Sequence, residues 1–249
     1  MESQPTQPTK AHKQNSLIRW LPLLVLILGL ASYFYFDLGS FFSFQSLKDN
    51  RETLLQWKEN HWLWTILGFM GVYFLVVSFS IPGAVFFTLA GGFLLGPIWG
   101  TLCVVTSATL GACTIFIAVQ TSLGSWLKGK AAPWFSKMEK GFKENGFSYL
   151  LFVRLVPIFP FWVVNIVPAL LDMQLKSFAI ATFIGIIPGS FVYVLAGNGL
   201  GAILDQDKTP NLGIILEPPV LIPILCLAAL SLVPIIYKKI KKNRSMPKK

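Results

Sequence analysis

Charge is what this sequence has least of. Its 249 residues include 21 Lys or Arg and 11 Asp or Glu, 13% in all, against about 25% in an ordinary soluble domain. The few charges are also unevenly placed: residues 60–127 contain no Asp, Glu, Lys or Arg, and neither do residues 177–204. In water such runs would expose large apolar patches. A bilayer removes that problem by being the apolar solvent. The 54% hydrophobic content and a mean hydropathy of +0.62 agree with a chain built for lipid.

Histidine and cysteine are scarce too. His12 and His61 both lie in polar flanks. No intramembrane His, Asp or Glu falls in the clear apolar runs, so hydroxyls such as Ser107 and Ser190 have no base to activate them. Enzymatic function is not expected. Cys103, Cys113 and Cys226 sit in apolar stretches. Their odd number gives no disulfide framework and their spacing no metal site, so they read as packing residues, and no cofactor or metal is expected. Gly91-Gly92 lacks the strand and the Lys-Ser/Thr of a phosphate-binding loop.

The net charge of +10 does not point to nucleic acid, because much of it follows an apolar run: Lys238, Lys239, Lys241, Lys242, Arg244, Lys248 and Lys249. Such a tail marks a cytoplasmic C-terminus that can touch anionic headgroups. The short loops and compact tails suggest a bacterial-type plasma membrane.

A helix crosses the hydrocarbon core with about 20 apolar residues. Residues 1–16 are a polar tail, expected to be disordered. Residues 17–36 form a first span, and with the connector to 61 they make a first unit. The aromatic exit of this span lacks a small-x-small cleavage pattern, so a retained helix is expected rather than a signal peptide. Residues 62–80 read as a second span. After Pro82-Gly83, residues 84–96 are too few for an ordinary crossing and suit a re-entrant segment. Residues 98–123 span again. A basic connector, 124–146, leads to 147–171, an apolar stretch broken by Pro157, Pro160 and Pro168. Residues 177–200 are a span, and 62–201 together form a core unit. Residues 202–249 hold an acidic loop, the last span at 219–237 and the basic tail.

The fold class is therefore all-α integral membrane protein, with about five transmembrane helices and two Pro-broken re-entrant hairpins. A shift of 78 places Pro82 on Pro160 and Gly111 on Gly189, which suggests a pseudo-inverted repeat. Interrupted apolar segments in corresponding places point to a transporter's central site. The count leaves a conflict. Five crossings put the termini on opposite sides, whereas the basic flanks ask for both inside. A full crossing by 84–96 would satisfy the charges; its shortness favours re-entry.

Arg154 is the one charge between Glu144 and Asp172. At mid-helix depth such a residue costs about 2.5 kcal/mol or more. It either holds an anion such as a lipid phosphate through its fork of donors, or snorkels to the headgroups and caps carbonyls freed by Pro157. Pro157 and Pro160 release backbone carbonyls that need a hydrated or enclosed setting. Asn165 can bind substrate or join two helices. Pro82, Gly91, Gly92, Gly96, Gly185, Pro188 and Gly189 are structural or hinge candidates, the glycines by allowing close helix approach.

Residues 82–201 resemble the core of the DedA-like family, also called the VTT or SNARE-associated Golgi domain. The resemblance rests on Pro82, Leu89-Ala90-Gly91-Gly92 and Gly96-Pro97. It rests further on Phe152-Val153-Arg154-Leu155-Val156-Pro157-Ile158-Phe159-Pro160-Phe161 with Asn165, and on Gly185, Pro188 and Gly197. It implies two re-entrant hairpins facing each other, and lipid scrambling or lipid-carrier transport, often linked to protons. Arg154 matches the arginine of the family motif. Pro168-Ala169 stands where the family usually has a small-Gly pair, and intramembrane acids of some bacterial members have no clear counterpart, which bears on proton coupling but leaves protons among the expected partners and does not touch passive scrambling. The expected function is a lipid scramblase or lipid-phosphate transporter, with Arg154 on the phosphate and phospholipid or polyprenyl phosphate as partner. The alternatives are an ion- or proton-coupled solute transporter, and a scaffold or homo-oligomer joined through glycine faces.

Overall fold

The computed structural model describes residues 16–37, 39, 42–128, 145–156 and 159–199, with scattered positions between 216 and 232. Expectations for the N-terminal tail, the basic connector, the acidic loop, most of the last span and the C-terminal tail fall outside the described residues, as does Pro157. Every element among the described residues is a helix. In lipid this is expected, since a helix satisfies its backbone groups internally. The elements are α1 (Ser16–Tyr35), α2 (Phe44–Asp49), α3 (Arg51–Asn60), α4 (Trp62–Ser78) and α5 (Ala84–Lys128), then α6 (145–155), α7 (Phe161–Leu170) and α8 (Leu175–Asn198).

Two chain reversals shape the first half. The first ends α4. Ser80 takes a left-handed φ of 53°. Its N–H reaches Val77 O at 3.0 Å and that of Ile81 reaches Val76 O at 2.9 Å, the paired bonds of a Schellman cap. Pro82 cannot continue a helix and Gly83, at φ 108°, completes the turn. α4 and the start of α5 then run antiparallel, tied by Tyr73, whose hydroxyl lies 2.9 Å from Thr88 Oγ1. Thr88 itself donates to Ala84 O at 2.8 Å, so Tyr73 is the donor to Thr88.

The second reversal is inside α5. Gly96 adopts φ 76°, ψ 179°, a region essentially open to glycine alone, and Pro97 starts the next helix where its missing N–H costs nothing. The arms are α5a (84–95) and α5b (97–128). They fold back so closely that a Cβ on Gly100 would lie 2.8 Å from Gly91 O. The expected short segment at 84–96 is thus a helix paired with α4.

Contacts fix the relative heights. Trp62, at the start of α4, meets Trp99, at the start of α5b, with ring centroids 6.4 Å apart. At the other end of α4, Val77 fills the space beside Gly111. Phe79 occupies the notch left by Gly29 of α1. The α4–α5a tip therefore sits about halfway along α5b.

α8 runs antiparallel to α5b. Gly100 packs on Val194, and Phe116 stacks on Phe178 with centroids 4.5 Å apart. α6 and α7 form a second hairpin: α6 lies against the other half of α8, with Arg154 packed on Gly185, and α7 packs on α5. The two hairpins enter from opposite ends of the α5b–α8 pair. One buried cluster joins Ala112, Phe116, Leu150, Val164, Ala169 and Phe178; another joins Tyr73, Val76, Phe87, Val104 and Val194. Large apolar side chains elsewhere are exposed, including Ile180, Ile184, Ile187 and Phe191 on α8. That distribution belongs to a protein embedded in a membrane. α8 continues through Pro188 and Gly189.

Candidate functional site

The second hairpin is built around its arginine. α6 ends at 155 and α7 begins after Pro160, whose carbonyl accepts from Val163 at 3.0 Å and Val164 at 3.3 Å. This brings Arg154 and Asn165 face to face. One Arg154 terminal nitrogen donates to Asn165 Oδ1 at 2.6 Å and to Thr182 Oγ1 of α8 at 3.0 Å. Its Cζ lies 5.3 Å from the centre of the Phe161 ring and 5.5 Å from that of Phe178. Asn165, Thr182 and Phe178 are fully buried. Gly185 makes the approach possible: a Cβ there would sit 2.6 Å from Arg154 Cβ.

Both hydrogen-bond partners are neutral. Dipoles and ring faces solvate the guanidinium but leave its charge in place; a desolvated cation–π contact contributes about 2 kcal/mol, against a desolvation cost of several kcal/mol per buried ion. Two donors are also left over. Arg154 Nε and Asn165 Nδ2 are buried and find no partner among the described residues. Buried donors are seldom left unmatched, so the arrangement favours an incoming acceptor, and an anionic one most of all.

Beside this cluster the hairpin tips meet. Ser80, Ile81, Pro82 and Gly83 of the first tip face Phe161 and Trp162 of the second across a cavity of ≈ 360 Å³, completed by Val76, Val77, Ala84 and Val85. Arg154 packs at the level of Thr182 and Gly185, opposite the stretch of α5b that meets the first tip. The charge and the two tips therefore share one height, near the middle of the bundle.

Of the sequence candidates, the fold unites Arg154, Asn165 and Gly185 and puts Pro82 and Pro160 at the two tips. Gly91, Gly92 and Gly96 serve the first hairpin instead. Gly92 lies against the backbone of Val194, and Gly197 against that of Leu89. Thr182, Phe178 and Trp162 were missed. A weak signal existed for two of them: Phe178, Thr182 and Gly185 recur at helical spacing and share one face.

Opposed broken hairpins around a half-buried arginine define a class of helical membrane protein. Residues 81–199 match the VTT domain, and the chain belongs to the VTT-domain, DedA-like membrane family. It is 34% identical over 206 residues to a Transmembrane protein 41 homolog of Dictyostelium discoideum, covering 81% of this chain and 60% of that protein. A Transmembrane protein 41 homolog of Caenorhabditis elegans is 29% identical over 207 residues, 80% of this chain and 81% of its own length. Human Transmembrane protein 41B is 26% identical over 197 residues, 78% of this chain and 65% of its own length. No solved structure matches the chain.

Proposed function

We propose that this protein moves lipids between leaflets, the headgroup passing the hairpin tips while Arg154 engages its phosphate. The observation that carries the proposal is the guanidinium at mid-height, which meets only neutral partners among the described residues, with two spare buried donors, beside a cavity between the tips. A phosphate supplies both the negative charge and the acceptor oxygens that the cluster lacks. Phospholipid and polyprenyl phosphate share that chemistry. Pro160 caps the start of α7 at the tip that the headgroup must pass; Pro157, the other proline expected at the site, lies outside the described residues.

The same geometry supports a topology of four crossings. α4 ends level with the middle of α5b, so in this reading α4 and α5a form one re-entrant hairpin, and α6 and α7 the other. α1, α5b and α8 then cross, together with the span expected from the sequence at 219–237. Both termini and the basic connector fall on the cytoplasmic side, while the acidic loop falls outside, which removes the conflict between five spans and the charge rule. The offset of 78 supports the inverted repeat, since it carries the start of α5b at 97 onto the start of α8 at 175. A membrane-impermeant thiol reagent should label a cysteine at Asp205 from outside and one at Lys140 from inside; labelling of both from the same side would refute this topology.

Proteoliposomes test transport directly. Purified protein should exchange labelled phospholipid between leaflets, and Arg154→Ala should slow exchange. Wild-type protein that accelerates neither phospholipid nor polyprenyl phosphate exchange would overturn the proposal.

A further inference from the structure

A second cavity, of ≈ 460 Å³, lies apart from Arg154 and the tips, between the first hairpin and the segment that precedes it. Its volume is that of ordinary ligand sites, about 300–1,000 Å³. Gly68 and Val72 of α4, Phe86 and Ala90 of α5a, and Leu47 and Leu54 of the preceding segment form its walls. The segment is held there by Phe42 on Phe87, centroids 4.8 Å apart, and by Leu47 packed with Ala90.

The polar groups at this cavity are already engaged locally. Ser46 Oγ lies 2.9 Å from Ser43 Oγ. Asn50 Nδ2 donates to Ser46 O at 2.9 Å. Thr65 Oγ1 donates to His61 O at 3.1 Å. An extended peptide would bring backbone groups that these engaged side chains do not satisfy, whereas hydrocarbon needs no partner. α3 meets α4 at a bend of 120°, and Trp57 and Trp64 line the cavity from either side of it. Tryptophans of this kind sit at headgroup level, so the site has an apolar body and a mouth at the interface.

We infer that this cavity holds one acyl chain of a bilayer phospholipid, its headgroup at the Trp57–Trp64 end. The inference does not depend on lipid movement past Arg154. It makes the first hairpin a lipid-bound element, with a resident chain completing the packing between α4 and the segment before it.

Glycine positions supply the test. A Cβ on Gly68 or Gly71 meets nothing within 4 Å, but only Gly68 lines the cavity. Gly68→Trp should fill the site, and Gly71→Trp serves as the matched control. The full chain, purified in detergent, is photolabelled with trace phospholipid carrying a diazirine midway along one acyl chain. Labels should map to residues 42–57 and 86–94, disappear with excess unlabelled phospholipid, be lost in Gly68→Trp and persist in Gly71→Trp. Because competition needs no substitution, it decides the matter even should Gly68→Trp fail to fold. Labels confined to other surfaces, labelling unchanged in a folded Gly68→Trp protein, or displacement by a sterol but not by phospholipid would overturn the inference. So would a disulfide between a cysteine at Gly68 and one placed in 219–237, which would show the chain's own last apolar run in the cavity.

Discussion

Replacing Gly92 with alanine adds one methyl group where α5a crosses α8. The new Cβ would lie 2.0 Å from Val194 O, whereas real Cβ atoms essentially never come within 3.0 Å of a neighbour. The contact is backbone, so no rotamer change relieves it. The two helices must separate by about 1 Å or the hairpin must tilt, an overpacking cost of about 1–3 kcal/mol. Alanine also gains up to about 1 kcal/mol in helix propensity over glycine, which would mask part of the effect. Gly68→Ala cancels that term, because it makes the same change in a helix with open space around it. The expected result is a Gly92→Ala protein about 1–3 kcal/mol less stable than Gly68→Ala, read by reversible unfolding in mixed micelles with tryptophan fluorescence. Gly197→Ala, whose Cβ would lie 2.0 Å from Leu89 O, should behave like Gly92→Ala. Equal stability of Gly92→Ala and Gly68→Ala would refute the close α5a–α8 crossing and, with it, the fold-back of the first hairpin.

Gly96→Ala should cost about 1–3 kcal/mol, the strain of holding a non-glycine residue in that backbone region; the same unfolding assay reads it. Tyr73→Phe removes the bond to Thr88 that ties α4 to α5a, and should cost about 0.6 kcal/mol, an average for hydrogen bonds between membrane helices. A double-mutant cycle with Thr88→Val isolates that coupling, and a coupling of zero would argue against the bond. Arg154→Lys keeps a positive charge but loses the planar guanidinium that lies against two rings and its spare Nε donor. Leaflet exchange in proteoliposomes should therefore fall between wild type and Arg154→Ala; a fully active lysine variant would mean that charge alone suffices.

Membrane residence was legible in the sequence, because long charge-free runs have few physical alternatives. So were the break points. Proline and glycine act locally, and Pro82-Gly83, Gly96-Pro97 and Pro160 all fall where helices end or begin. Arg154 stood out for the same reason, as a lone charge in an apolar stretch. Its neighbourhood did not. Thr182 lies 28 positions away, and nothing local to it shows that it receives a hydrogen bond from α6. The length of α4 does not decide its path: 17 residues make a helix of about 25 Å, nearly enough to span. Only its height against Gly111, halfway along α5b, supports reading it as an arm that turns back.

The sequence by itself determined the solvent, the helical class and the places where the chain must bend, since hydropathy, proline and glycine act without reference to distant residues. Tertiary structure alone decided which helices pair, that the hairpins come from opposite ends, and that a half-buried arginine and its asparagine partner each keep one donor to spare among the described residues beside their meeting point. Those outcomes depend on close approaches between residues far apart in the chain, such as Gly92 with Val194 and Arg154 with Gly185, and packing at that range leaves no periodic trace to read.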